Sequence, residues 1–222
     1  ATQYLNWLRL RGMTIPEQAK PMMPRIKEKI IGILDDDLLT KFMGVAKTIR
    51  DPYRTALSLL PLTGLRVGEM GALRLKDVLV RPPWGYVFVL HNTKGKRDRT
   101  VPVLKSGTAI LKTYITNVRP ALPGDVWLFP SRRGTHIHTD SLELYMRQVK
   151  KTMGVLNLTP HTLRHIYATI LERSGVSDLK IMQIMGHKNL QTTRRYVHLT
   201  AEDLASDLDR VKTPWADEGD ES

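Results

Sequence analysis

The sequence predicts a mainly α-helical domain with one small antiparallel β-sheet. Apolar residues recur at helical spacing over most of residues 34–200, whereas a short central section contains strand-like runs. Serine, threonine, proline and glycine occupy positions typical of helix caps around several of the helical stretches. From Leu34 onward this pattern indicates one compact domain, and the sequence shows no internal repeat.

Two helices are predicted ahead of the strands. The second spans residues 52–60 and is expected to end near Pro61, because proline cannot continue the helical hydrogen bonding. The first is indicated by an apolar stripe at helical spacing, formed by Leu38, Phe42, Val45 and Ile49.

Three short runs rich in valine predict the sheet. They span residues 78–80, 86–90 and 99–103. The turn "NTKGKRD", residues 92–98, is expected to join the last two as a hairpin.

Four further helices are predicted after the strands. Their ends are marked by capping residues and by glycines, which readily adopt the backbone conformation found just beyond a helix. They are a helix over residues 107–118, a helix that starts at a capping box of Asp140 and Glu143 and ends at Gly154, a helix over residues 161–174 before Gly175, and a helix from Ser177 to Gly186.

The stretch "TPHTLRHIYAT", residues 159–169, gathers three basic side chains in one helical turn. With Thr159 as N-cap and Pro160 at the first helical position, residues three and four apart share one face. We therefore expect an exposed cationic patch at a helix N-terminus, suited to a phosphate or carboxylate. The basic residues are His161, Arg164 and His165, and the opposite, core-facing stripe is Leu163, Ile166, Tyr167 and Ile170.

Composition favours a polyanionic partner. The chain of 222 residues has a formal net charge of +12, which points to nucleic acid first and an anionic membrane surface second. It contains no cysteine, which excludes disulfides and thiolate zinc sites and fits a cytoplasmic, nucleoid-associated location. No apolar run approaches the ~20 residues that span a bilayer. The pair His136 and His138 lacks further ligands at metal spacing, and His198 receives no functional role either.

Six polar residues, individually unremarkable, together resemble the active site of the tyrosine recombinases, the family of phage integrases and Xer-like proteins. The flanking segments also match, in "TGLRVGE", "TKGKRDRTVPV", "HTLRHIYAT" and "IMGHKNLQTTRRYVH". The resemblance covers residues 34–200, essentially the whole catalytic domain of that family, and implies its DNA breaking-rejoining fold. In chain order the six are Arg66, Lys94, His161, Arg164, His187 and Tyr196.

The resemblance implies that three of these residues bind the phosphate that reacts. Arg66 and Arg164 suit this role because guanidinium groups are always charged and donate two parallel hydrogen bonds to phosphate oxygens. His187 adds a third donor. Glu69 is interpreted as orienting Arg66, and His165 as supporting its own helix.

The other three residues are implied to make and break bonds. Tyr196 is the nucleophile that forms a 3′-phosphotyrosine, and His161 is the acceptor of its proton. Lys94 is the general acid for the departing 5′-oxygen, although Lys96 in the same turn remains an alternative. Neither metal nor nucleotide cofactor is implied, because the phosphotyrosine retains the bond energy needed for ligation.

The domain organisation predicted on this basis has three parts. Residues 1–33 are expected to be the tail of an N-terminal core-binding domain plus a linker, and the start at Ala1 suggests a fragment of a longer protein. Residues 34–200 form the catalytic domain. Residues 201–222 are expected to form a C-terminal helix and acidic tail, which docks either on its own domain or on a neighbouring protomer. The apolar stripe of that helix is Leu204, Leu208, Val211 and Trp215.

The resulting expectation is a site-specific DNA recombinase. It would act on double-stranded DNA as a homotetramer, through a Holliday junction, with accessory directionality factors as possible partners and in the service of a mobile element or a chromosomal site. A type IB topoisomerase or telomere-resolving enzyme is a second reading with the same tyrosine chemistry. A catalytically idle DNA-binding regulatory module is a third.

Overall fold

A computed structural model describes most of the predicted catalytic domain. The described residues are 11, 36–81, 85–91, 98–121, 126–186 and 211. The chain divides into two units, Ala1–Asp35 and Asp36–Ser222, and the architecture below belongs to the second. Apart from residues 11 and 211, the predicted N-terminal segment 1–33 and C-terminal segment 201–222 lie outside the described residues.

The described residues form helices around one three-stranded antiparallel sheet, which confirms the predicted fold class. The helix Tyr53–Thr63 (α2) lies at the centre of the core, since its residues 55–63 are all buried. The helices Lys105–Thr113 (α4) and Pro160–Arg173 (α6) pack against it. In chain order the elements are α1 (Asp36–Ala46), α2 (Tyr53–Thr63), α3 (Val67–Gly71), a 3-10 turn (Leu75–Asp77), β1 (Val78–Arg81), β2 (Gly85–Leu90), β3 (Arg99–Pro102), α4 (Lys105–Thr113), a π-helical turn (Tyr114–Val118), α5 (Thr139–Met153), α6 (Pro160–Arg173) and α7 (Asp178–Met185).

The sheet has the strand order β1-β2-β3, with both neighbouring pairs antiparallel. Phe88 on the central strand pairs with Val78 on one side and Val101 on the other. Both Phe88 and Val101 are fully buried, so the apolar face of the sheet contributes to the core. The antiparallel pairing of β2 with β3 confirms the predicted hairpin strands, while the turn residues 92–97 lie outside the described part of the chain.

The end of α2 differs from the prediction. The helix continues through Pro61 to Thr63, and Gly64 ends it with φ of 61°. A proline inside a helix costs about 3 kcal/mol, but residues 55–63 are all buried here, so tertiary packing outweighs the lost hydrogen bond.

Three other sequence predictions need correction. The core-facing stripe of α1 is Leu39, Phe42, Met43 and Ala46, and the helix ends before Ile49, which is buried beyond it.

The predicted helix over residues 107–118 starts at Lys105 and changes to a π-helical turn at Tyr114. The N-cap of α5 is His138, whose Nδ1 accepts from the Asp140 backbone at 3.4 Å, so the capping box of Asp140 and Glu143 was wrong. Spacing and residue type in the sequence place a helix only to within a few residues, because its ends and its buried face also depend on capping groups and packing from neighbouring segments.

The remaining helix ends agree with the sequence. Gly154 ends α5, and Thr159 caps α6 with Pro160 at its start. Ser177 occupies the N-cap position of α7 as predicted, although its side chain makes no capping hydrogen bond, and Gly186 ends that helix. No helix in the described part of the chain is long and apolar enough to cross a membrane.

Candidate active site

Helix α6 presents its two histidines as the sequence predicts. The Thr159 hydroxyl accepts a hydrogen bond from the Thr162 backbone N–H at 3.1 Å, which fixes the first turn. The core-facing stripe is buried, whereas His161 and His165 are exposed one turn apart. The stripe comprises Leu163, Ile166, Tyr167 and Ile170.

His161 and His165 contact each other directly. Their Nε2 atoms lie 2.9 Å apart, and their rings meet edge-on with centroids separated by 4.3 Å. One Nε2 must donate and the other accept, so both histidines cannot carry a proton at Nε2 while this bond exists. The bond leaves Nδ1 of His161 as the ring nitrogen available for a further partner.

The environment favours neutral His161. Partial burial of the ring lowers the pKa of its imidazole, and the electrostatic influence of His165, Arg164 and Arg66 lowers it further. His161 is therefore able to accept a proton at neutral pH.

Arg164 is buried, contrary to the predicted exposed patch. Only 5% of the residue is accessible. Its Nη1 donates to the Gly64 carbonyl and its Nη2 to the Met185 carbonyl. The turn after α2 and the end of α7 cover this side of α6, which spacing within the helix could not reveal. Burial, followed by the positive charge of Arg66, lowers the pKa of Arg164 to about 10, so the guanidinium remains protonated at neutral pH.

The Gly64 turn directs the chain into Arg66 and α3. A Cβ added at Gly64 would lie 2.4 Å from Cδ1 of the buried Tyr167 ring, so this turn can pack on α6 only because it carries glycine. Arg66 is the N-cap of α3, and its side chain is 49% exposed. The turn therefore places an accessible guanidinium close to Arg164 and His161.

Glu69 binds Arg66 at two points. Its Oε2 accepts from the Arg66 backbone N–H at 2.8 Å, and its Oε1 accepts from Arg66 Nη1 at 2.9 Å. Burial alone would raise the pKa of Glu69, but hydrogen bonds from the Arg66 backbone and from Arg99 outweigh it and lower the pKa. Glu69 is thus an ionised partner that holds Arg66, in agreement with the orienting interpretation.

Arg99 is a member of this cluster that the sequence did not single out. Its Nη2 donates to Glu69 Oε2 at 2.8 Å, and its Nε donates to the Ile184 carbonyl at 3.1 Å. The only sequence signal was its position at the start of a predicted strand next to the basic turn.

Three of the six predicted site residues therefore meet around the Gly64 turn, namely Arg66, His161 and Arg164. The positions of Lys94, His187 and Tyr196, as well as the alternative Lys96, lie outside the described residues. Within the described ranges no group of three histidine or acidic side chains is placed to hold a metal ion. His136 instead packs on the Trp127 ring with centroids 4.8 Å apart.

The match to known proteins covers the same region. The phage integrase family matches residues 33–203. A tyrosine recombinase of Thermosipho africanus is 32% identical over 203 residues, covering 90% of this chain and 69% of the relative. The crystal structure of XerA recombinase is similar at 30% identity with a TM-score of 0.61, over 78% of this chain and 62% of that one.

A third relative shares the fold. The XerH site-specific recombinase bound to its difH substrate has a TM-score of 0.56 at 22% identity, over 72% of this chain and 48% of that one. The chain thus spans between about half and about two thirds of the length of these three relatives. The two relatives at 30% identity or more are recombinases, which favours that prediction over the topoisomerase, telomere-resolving and idle-module alternatives. The chain belongs to the phage integrase family and is a tyrosine recombinase, an enzyme of site-specific DNA recombination.

Proposed function

We propose that the chain cleaves and rejoins DNA strands through a covalent bond between Tyr196 and the 3′-phosphate. The observation that carries this proposal is the meeting of Arg66, His161 and Arg164 around one turn, although 95 positions separate Arg66 from His161 in the chain. A set of two guanidinium groups and one neutral imidazole matches what a phosphodiester needs, namely charge stabilisation and a proton acceptor.

Double-stranded DNA is the proposed partner. The net charge of +12 suits a polyanion, and the XerH relative is bound to a difH substrate. Contacts to phosphate should dominate the binding of this chain, so we expect weak association with a steep dependence on salt. Salt-insensitive nanomolar binding would contradict that expectation.

Arg66, Arg164 and His187 are proposed to hold the two non-bridging oxygens of the phosphate that reacts. Negative charge on these oxygens increases toward the transition state, so fixed cationic donors stabilise it more than the ground state. Arg164 uses one N–H of each Nη for the carbonyls of Gly64 and Met185, and these bonds fix the plane of its guanidinium.

The proton transfers complete the proposed step. The Tyr196 oxygen attacks phosphorus while its proton moves to His161, and the bond from phosphorus to the 5′-oxygen breaks as Lys94 donates a proton to that oxygen. The products are a 3′-phosphotyrosine and a free 5′-hydroxyl. Ligation reverses each transfer, with a 5′-hydroxyl from the partner duplex as the nucleophile.

The proposed assembly is a homotetramer that joins two duplexes and exchanges strands in pairs through a Holliday junction. Residues 201–222 are proposed to dock on a neighbouring protomer, and accessory directionality factors are possible further partners. We place this activity in the cytoplasm, at the nucleoid, in the service of a mobile element or a chromosomal site.

Covalent capture tests the proposal. The wild-type chain and Tyr196→Phe are incubated with nicked suicide duplexes, which carry either the recombination site of a Xer relative or the sequences flanking the chain's own gene. We expect a protein–DNA adduct on a denaturing gel with wild type and with the control Tyr86→Phe, but not with Tyr196→Phe. An adduct that persists in Tyr196→Phe, or no adduct with wild type on any duplex, would refute the proposed nucleophile.

A further inference from the structure

Arg99 connects parts of the active-site cluster that are distant in the chain. Its side chain is 10% exposed and forms an ion pair with Glu69 on α3, 30 positions earlier. It also donates to the carbonyl of Ile184 near the end of α7, 85 positions later. One guanidinium therefore joins strand β3 to both helices.

The shared carboxylate gives Arg99 an influence on Arg66. Glu69 accepts from both arginines, and its Oε2 is common to the Arg66 backbone N–H and to Arg99. Without Arg99, Arg66 would be the one of these two arginines still bound to Glu69. The carboxylate would then neutralise more of the positive charge of Arg66. Arg99 thus keeps Arg66 available for a phosphate while fixing the carboxylate that orients it.

The second connection acts on the end of α7. The last carbonyls of a helix carry partial negative charge and bind cations favourably. Arg99 binds the carbonyl of Ile184, and Arg164 binds the next one, that of Met185. Gly186 follows, and a Cβ there would lie 3.1 Å from three atoms of Arg99, so glycine permits this close approach. The next residue in the chain is His187.

We propose that Arg99 is a positioning residue for strand cleavage, which holds Glu69 against Arg66 and holds the end of α7 from which the chain continues to His187. This inference rests on the proposed function, because it assumes that Arg66 and His187 bind the phosphate. Arg99 itself need not touch DNA for this role.

The test compares variants of the full chain in single-turnover cleavage of the nicked suicide duplexes at saturating DNA. We expect Arg99→Met to lower the rate of adduct formation roughly 10- to 100-fold, the effect of misplacing catalytic groups by about 1 Å. The dissociation constant for the intact duplex should change little. Arg99→Lys should recover only part of the rate, because a single ammonium cannot reproduce the geometry by which the guanidinium binds Glu69 and Ile184 together.

A double-mutant cycle separates positioning from general structural support. If Arg99 acts through Glu69, adding Arg99→Met to Glu69→Gln should lower the rate much less than it does in the wild type. Arg119→Met is the matched control, since Arg119 also donates to main-chain carbonyls, those of Trp127 and Leu128. It should lower the urea midpoint while leaving the cleavage rate at saturating DNA near that of wild type.

Three outcomes would overturn the inference. They are wild-type cleavage by Arg99→Met, additive effects of the Arg99 and Glu69 substitutions, and equal loss of cleavage in Arg119→Met. In each of these cases, adduct formation by the wild-type chain would show that the proposed function stands while the role of Arg99 does not. Absence of an adduct in the wild type itself would instead reject the proposed function, and the role of Arg99 with it.

Discussion

Replacing Gly64 by alanine should be far more damaging than the same change at Gly154. Both glycines end a helix with nearly the same left-handed backbone, Gly64 at φ of 61° and Gly154 at φ of 68°. They differ in surroundings. A Cβ at Gly64 would meet three atoms of the Tyr167 ring, at 2.4, 3.0 and 3.0 Å, whereas a Cβ at Gly154 has no atom within 4 Å.

The expected magnitudes follow from that difference. Either alanine incurs roughly 1–2 kcal/mol for a left-handed conformation. At Gly64 the added carbon also meets a fully buried ring that cannot move aside, and overpacking of a core costs about 1–3 kcal/mol more. We therefore expect Gly64→Ala to lose about 2–5 kcal/mol of unfolding free energy, against about 1–2 kcal/mol for Gly154→Ala.

Urea unfolding of the two variants beside wild type measures both free energies. The cleavage rate provides a second readout, because the Gly64 carbonyl accepts from Arg164 and a displaced turn would move that guanidinium. Cleavage should fall in Gly64→Ala and persist in Gly154→Ala under conditions where both are folded. Equal destabilisation of the two variants would refute the packing argument.

Three further predictions concern helix α6 and its surroundings. Partial burial and the electrostatic influence of His165, Arg164 and Arg66 lower the pKa of His161, so cleavage should keep its proton acceptor to a lower pH than an ordinary histidine would allow. His165→Ala removes one of these influences and should move the acidic limb of the pH–rate profile to higher pH, and a limb that stays in place would contradict this reasoning. Thr159→Ala removes the N-cap bond and should lower the unfolding free energy by about 1 kcal/mol in urea, whereas an unchanged midpoint would show that the cap contributes nothing. Leu163→Ala in the core should lower the unfolding free energy by about 2–5 kcal/mol while Leu156→Ala, at a residue that is 82% exposed, stays near wild type; similar losses at both positions would conflict with the observed burial.

Much of the local structure was predictable because it depends on residues close in sequence. The N-cap at Thr159, the start of α6 at Pro160 and the end of α7 at Gly186 all follow from the chemistry of one or two residues. The pair of Arg66 and Glu69 lies within one helical turn, so its contact was also predictable. The end of α2 was not, because burial of Pro61 and its neighbours outweighed the local preference of proline.

The sequence by itself determined the fold class, the family resemblance and the face of α6 that carries His161. These depend on periodicity and on short motifs, which backbone geometry converts directly into helix faces and turns. Only the tertiary structure decided that Arg164 is buried between two carbonyls and that Arg99 joins Glu69 to the end of α7. Those contacts link residues 21 to 100 positions apart, and they exist only once the packing of apolar faces has brought the helices together.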